Sequence, residues 1–215
     1  MADSDINGLA QAQAGYVDPT DELIIQKSGE TSVKKIQVDD LFGGWKDLRA
    51  SVTAAATGTG APSLATFGPS ANIKQLSFGI GDSVYLAMHV DHDIKVGSTA
   101  YLHVHWSTNG TSTGLVKWEI DYITAARNDT THAAFGADAT ISVEAAPQGS
   151  AWEHIVTEDA TGFTVPTVDS LILLELKRVA PSSGSNADTV FGLFVDLHYE
   201  TQMYATKNRA PDFYT

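Results

Sequence analysis

HVDHDIKVGSTAYLHVHW, residues His89–Trp106, decides how this chain folds. Four of the seven histidines fall inside it. It reads as the end of one strand, a polar turn and a second strand. In the second strand the alternation has a period of two. Leu102, Val104 and Trp106 point one way; Tyr101, His103 and His105 point the other. Two histidines two residues apart on one strand face offer two ligands of a metal site. The same pair also suits a wet, hydrogen-bonded sheet surface. The choice between those readings separates an enzyme from a structural protein.

Downstream, the same strand logic continues. Leu115–Ala126 places Val116, Trp118, Ile120 and Tyr122 on one face, with Lys117, Glu119 and Asp121 on the solvated side expected of an antiparallel sheet. Leu171–Leu176 is almost continuously apolar and belongs mid-sheet. In Val190–Tyr204, Phe191, Leu193, Val195, Leu197 and Tyr199 share a face opposite Phe194, Asp196, His198 and Glu200. Further strands are expected at Lys74–Ile80, Ser83–His89, Thr99–Ser107, Ala139–Val143, His154–Thr157 and Ser170–Val179. Turn chemistry is explicit at Gly81-Asp82, Asn109-Gly110 and Ser183-Gly184-Ser185-Asn186. No helical period follows Val52. About eight strands at hairpin-like spacing argue for an all-β chain, a jelly-roll-like β-sandwich over residues 51–204.

Upstream the pattern changes. Residues 1–15 are polar, rich in Ala and Gln, and read as a flexible arm. Residues 16–50 read as a small anchoring unit. Glu22–Lys27 and Ser32–Val38 form a hairpin, and Asp39-Asp40-Leu41-Phe42 opens a short helix with its acidic residues at the N-terminus. Such a unit is too small to be stable alone and must dock on something. Its apolar residues Leu23, Ile25, Val33, Ile36, Val38, Leu41 and Phe42 are the candidate partner contacts. Ala54–Ser63 is a small-residue loop, and residues 205–215 form a polar tail.

Composition narrows the function. The chain has 215 residues, enough for one ordinary domain with an appendage. The hydrophobic fraction of 43% supports a real core, and the net charge of −13 leaves no basic stripe for nucleic acid. There are no cysteines, so disulfides, thiolate metal sites and cysteine nucleophiles are excluded. The N-terminus lacks the basic start and apolar run of a signal peptide, and no segment is long enough for a membrane span. The expectation is a protein made in the cytoplasm that leaves a cell by lysis or within a particle.

The candidate sites divide as follows. His103 and His105 are the leading metal candidates, and His89, His198 or a carboxylate would have to complete a set of about three or four ligands. Gly97, five residues, then His103-Val104-His105 is similar to the first half of the cupin metal motif. The chain departs from it where a Glu should follow, and the second half is missing. Hydrogen bonding to cross-strand neighbours, without metal, is the favoured reading. His89, Asp91, His92 and Asp93 could make an acid–base cluster, but a hydrogen-bonded turn is the favoured reading. No nucleophile elbow or phosphate-cradling loop is present, and no cofactor is expected. Trp106 and Trp118 belong to the core, whereas Trp152 lies in a loop and is the candidate exposed aromatic.

The stretch from His89 to Trp106 resembles virion proteins of tailed bacteriophages. In that pattern a His-x-Pro-His-Asp turn precedes a Gly-Ser step and a His-Val-His-Trp strand. The chain matches at His89, His92, Asp93, Lys95, Gly97, Ser98, His103, Val104, His105 and Trp106, and departs at Asp91, where the pattern has Pro. LVKWEIDY, which follows, also resembles it. DELIIQKSGETSVKKIQVDDL is similar to N-terminal attachment segments of phage fibre, spike and decoration proteins. The resemblance implies a non-enzymatic capsid decoration or cement protein on the virion surface. It also implies a homotrimer bound to the major capsid protein of the head. A head fibre or tail adhesin that binds host glycans is the alternative, and a cupin-like metalloenzyme the distant one.

Overall fold

The computed structural model describes residues 22–25, 34–37, 43–57, 60–69, 72–127 and 134–202. β1 (Glu22–Ile25) and β2 (Lys34–Gln37) form a two-stranded antiparallel sheet, with Leu23 opposite Ile36 and Ile25 opposite Lys34. The expected hairpin is therefore present. The expected helix at 39–42 lies outside the described residues, as do Val33, Val38, Leu41 and Phe42.

A separate compact unit spans Trp45–Thr201. β3 (Gly44–Ser51) leads through a single 3₁₀ turn at Val52–Ala54 to β4 (Ala56–Thr57), β5 (Ser63–Thr66), β6 (Lys74–Phe78) and β7 (Ser83–His89). Then come β8 (Thr99–Thr108), β9 (Val116–Ala125), β10 (Ala139–Ala145), β11 (Ile155–Glu158) and β12 (Phe163–Thr164), and last β13 (Leu171–Val179) and β14 (Val190–Thr201). β3 pairs with β14, so Trp45–Ala50 belongs to the sandwich, not to the anchoring unit as its position in the sequence suggested.

The strands form two sheets, five-stranded in the order β10-β9-β13-β7-β4 and seven-stranded with the path β11-β8-β14-β6-β5, to which β12 and β3 attach. From β6 to β9 consecutive strands alternate between sheets: β7 and β9 lie in the five-stranded sheet, β6 and β8 in the other. The result is a jelly-roll β-sandwich with no α-helix among the described residues.

Alternation sets what is buried. Leu102, Val104 and Trp106 of β8 are fully buried, and so are Trp118 and Ile120 of β9, Ile172 and Leu176 of β13, and Val195, Leu197 and Tyr199 of β14. Burying each apolar side chain of this size contributes roughly 1.5–3 kcal/mol. The two sheets meet where the Phe78 and Trp118 rings stand edge-on at 5.2 Å. Polar groups inside are largely satisfied: the Trp106 indole donates to Thr157 Oγ1 at 2.8 Å. Arg178, 6% exposed, donates to the Phe78 carbonyl at 2.6 Å and so ties β13 to β6 in the opposite sheet. Burial lowers the pKa of that guanidinium.

One expectation fails at β14. The register with β8 jumps between Gly192, opposite Trp106, and Phe194, opposite His105. Leu193 is the extra residue of a β-bulge. Phe191, opposite Ser107, therefore lies on the outer face and not with Val195, Leu197 and Tyr199. It is buried there, beneath Phe67 at 5.2 Å and Trp152 at 5.8 Å. Trp152 is thus half-buried in a small aromatic cluster, not the free platform its loop position suggested.

Candidate functional site

The outer face of the seven-stranded sheet gathers the ligand-type side chains. β8 supplies His103 and His105, which point away from the core that holds Leu102, Val104 and Trp106. β14 lies beside it, and its register sets Asp196 directly opposite His103 and Phe194 opposite His105. On the other side of β8, β11 sets Glu158 opposite His103. Directly opposed residues share a sheet face, so the bulge at Leu193 is what brings Phe194, Asp196 and His198 into line with the β8 histidines.

Asp196 lies at the centre. It is 1% exposed, with His103 Nδ1 at 3.4 Å from its Oδ1 and His105 Nε2 at 3.0 Å from its Oδ2. Neither approach has hydrogen-bond geometry: Asp196 Oδ1 and His105 Nε2 are both buried without a hydrogen-bond partner. The far nitrogens of the two rings are engaged. His103 Nε2 meets the Glu158 carboxylate and lies 3.3 Å from His198 Nδ1, and His105 Nδ1 lies 2.8 Å from His154 Nε2. The His105 ring stacks on Phe194 at 4.0 Å, and the Arg49 guanidinium caps the other side of that phenyl ring at 4.2 Å. Trp45, 55% exposed, stands edge-on to His198 at 4.8 Å.

Among the described residues, two groups on this face could hold a metal ion: His103 with His105 and Asp196, and His103 with Asp47 and His198. His103 and His105 are therefore together as the sequence indicated. His89 is not with them; it ends β7 in the other sheet and contacts Asp169 Oδ1 at 2.6 Å. Asp196, Glu158 and His154 were not singled out from the sequence. A lone carboxylate inside LFVDLHY was the available signal.

The acid–base cluster considered around Asp91, for which a hydrogen-bonded turn was the favoured reading, is a set of ion pairs. Lys46 on β3 reaches Asp91 at 3.1 Å and Asp93 at 3.0 Å, and the buried Tyr199 hydroxyl donates to Asp93 at 2.9 Å. Bonds to Asp93 and then Asp91 hold the Lys46 ammonium well above its ordinary pKa, while burial and Asp93 raise the Tyr199 phenol. Asp169 is drawn two ways. Burial pushes its carboxyl up, but bonds from Arg127 at 2.7 Å and from His89 outweigh that and leave it below the ordinary range.

A second surface lies on the five-stranded sheet. A cleft of about 690 Å³ runs over Ala87, Ile123 and Leu173, flanked by Tyr85, Asp121 and Glu175. Tyr85 is 49% exposed. An open aromatic face beside carboxylates is the chemistry that stacks on a sugar ring and accepts from its hydroxyls.

No family model matches the chain, and no curated protein does. Among solved structures it is similar to a carbohydrate-binding module, CBM36, in complex with calcium and xylotriose. That match has 14% identity and a TM-score of 0.38, and covers 69% of this chain and 98% of that one. A family 6 carbohydrate-binding module from Clostridium cellulolyticum in complex with xylose matches at 13% identity and a TM-score of 0.36, covering 68% and 93%. The structure of infectious bursal disease virus, Gt strain, matches at 13% identity and a TM-score of 0.34, covering 88% of this chain and 40% of that one. These likenesses are of β-sandwich architecture alone.

Proposed function

We propose that this chain is a structural protein of a bacteriophage particle, of the capsid-decoration type. The region ahead of Trp45, with the β1–β2 hairpin, attaches to the major capsid protein of the head, and the sandwich bodies associate as a homotrimer over neighbouring capsomers. The observation that carries this reading is the β1–β2 ladder, a two-stranded sheet that is not part of the sandwich unit. An isolated hairpin is marginal in water, so this one calls for a surface to dock on. Many such contacts add by multivalency without any being strong. The charge of −13 keeps decorated particles apart.

The test is co-sedimentation with capsids that lack the protein. The wild-type chain should pellet with them. Leu23→Asp/Ile25→Asp should not, while keeping the β-sheet circular dichroism of the body. Undiminished pelleting by the double variant would rule out the hairpin as the anchor.

A glycan-binding head fibre or tail adhesin is the second reading, favoured by the Tyr85 cleft. It calls for saturable glycan binding by the free chain that Tyr85→Ala abolishes, with no requirement for capsids.

A further inference from the structure

We propose that His103 Nδ1, His105 Nε2 and an Asp196 carboxylate oxygen form a binding site for one Zn²⁺-type divalent cation. This departs from the metal-free surface expected from the sequence and is independent of the capsid reading. Two imidazoles and a carboxylate are a donor set suited to borderline transition cations. The spacing fits as well. Ligands about 2.0–2.2 Å from a tetrahedral ion lie roughly 3.3–3.6 Å from one another. His103 Nδ1 lies 3.4 Å from Asp196 Oδ1 and His105 Nε2 3.0 Å from Oδ2, and one ligand atom from each of the three residues lies within 4.8 Å of the others.

The orphaned atoms point to a ligand. The Asp196 carboxylate is 1% exposed with Oδ1 unpartnered, and His105 Nε2, 3.0 Å from its Oδ2, is unpartnered as well. Burying both without a counterpart is unfavourable, and a cation between them satisfies both at once. The outer contacts follow the pattern of ligating histidines, whose second nitrogen is held by a carboxylate or another acceptor. Glu158 holds His103 and His154 holds His105. The alternative trio shares His103 but depends on the exposed Asp47 and brings together no orphaned buried atom. A bound ion would rivet β8 to β14 at the middle of their ladder.

The test uses the full chain, stripped with chelator and titrated with ZnCl₂ by calorimetry. One equivalent should bind per chain. The melting temperature should rise by about 5–10 °C at roughly hundredfold excess over Kd. Asp196→Asn and His105→Gln should each bind at least about tenfold more weakly, and Asp47→Ala should match wild type. X-ray absorption of the Zn-loaded wild-type chain should show two imidazole ligands, a readout that survives if the buried variants misfold. No uptake by the wild-type chain overturns the site. So does a spectrum with one imidazole or none, or loss of binding in Asp47→Ala with retention in Asp196→Asn.

Discussion

At Gly192 the backbone of β14 passes so close to the core that a Cβ would lie 2.7 Å from Phe78 Cε2. Phe78 cannot easily retreat, because its ring stands against Trp118 and its carbonyl is held by Arg178. Gly192→Ala should therefore destabilise the body by roughly 1–3 kcal/mol through overpacking. The urea midpoint measures it, and adding Phe78→Leu should recover part of the loss because the two sites touch. A Gly192→Ala chain as stable as wild type would show that this contact has room. Residue chemistry was legible in the sequence only where neighbours along the strand carried it. His103 and His105 could be seen together because they share a strand. Asp196 and Glu158 join them only through the register of β8 with β14 and β11, and no local pattern encodes that register. The tight fit at Gly192 was equally hidden, since Phe78 is far away in the chain.

Among elements, the long strands and the short β1, β2, β6 and β11 were readable, whereas β3, β4, β5 and β12 were not. β7, β8, β9 and β13 each carry enough alternating or continuous apolar residues to bury a face. WKDLRAS of β3, SLAT of β5 and the two-residue β12 carry no such period; they are strands because β14, β6 and β8 offer them free backbone groups. The bulge at Leu193 was invisible because FGLFV is apolar on both phases, so a slip of one residue changes no polarity. The turn before β13 supports a pH-dependent expectation. Asp169 adopts φ 59° and has a lowered pKa, set against burial by Arg127 and His89. A lowered carboxylate pKa contributes stability above the unfolded value of about 3.9, and that contribution fades as pH falls through the folded value. Arg127 is partly solvated, so Arg127→Ala should cost less than about 1 kcal/mol at neutral pH. The difference from wild type should vanish once Asp169 is protonated in both. Urea melts at pH 7 and in strong acid compare the two, and an equal deficit at both pH values would mean that Arg127 acts by packing.

For the whole molecule, the jelly-roll class and the hairpin ahead of it followed from strand spacing and turn chemistry, whereas association did not. The path of the seven-stranded sheet ends in β11 and β5, where Val156 is 46% and Leu64 62% exposed. Edges of this kind invite further pairing unless covered. In the proposed homotrimer, subunit contacts cover them. Native mass spectrometry should give three times the chain mass, and Leu64→Lys/Val156→Lys should shift it toward one. A wild-type monomer at every concentration would remove the trimer from the proposal.

Trp45 has a practical consequence. Of the four tryptophans, Trp106 and Trp118 are sealed in the core and Trp152 is half-covered, so only Trp45 emits as a solvated indole. Its ring touches His198, and His198 touches His103. The red edge of the intrinsic fluorescence is therefore a built-in optical gauge of the histidine face. A paramagnetic ion such as Co²⁺ bound at the proposed site would quench tryptophan emission nearby, so occupancy can be followed in the unlabelled protein.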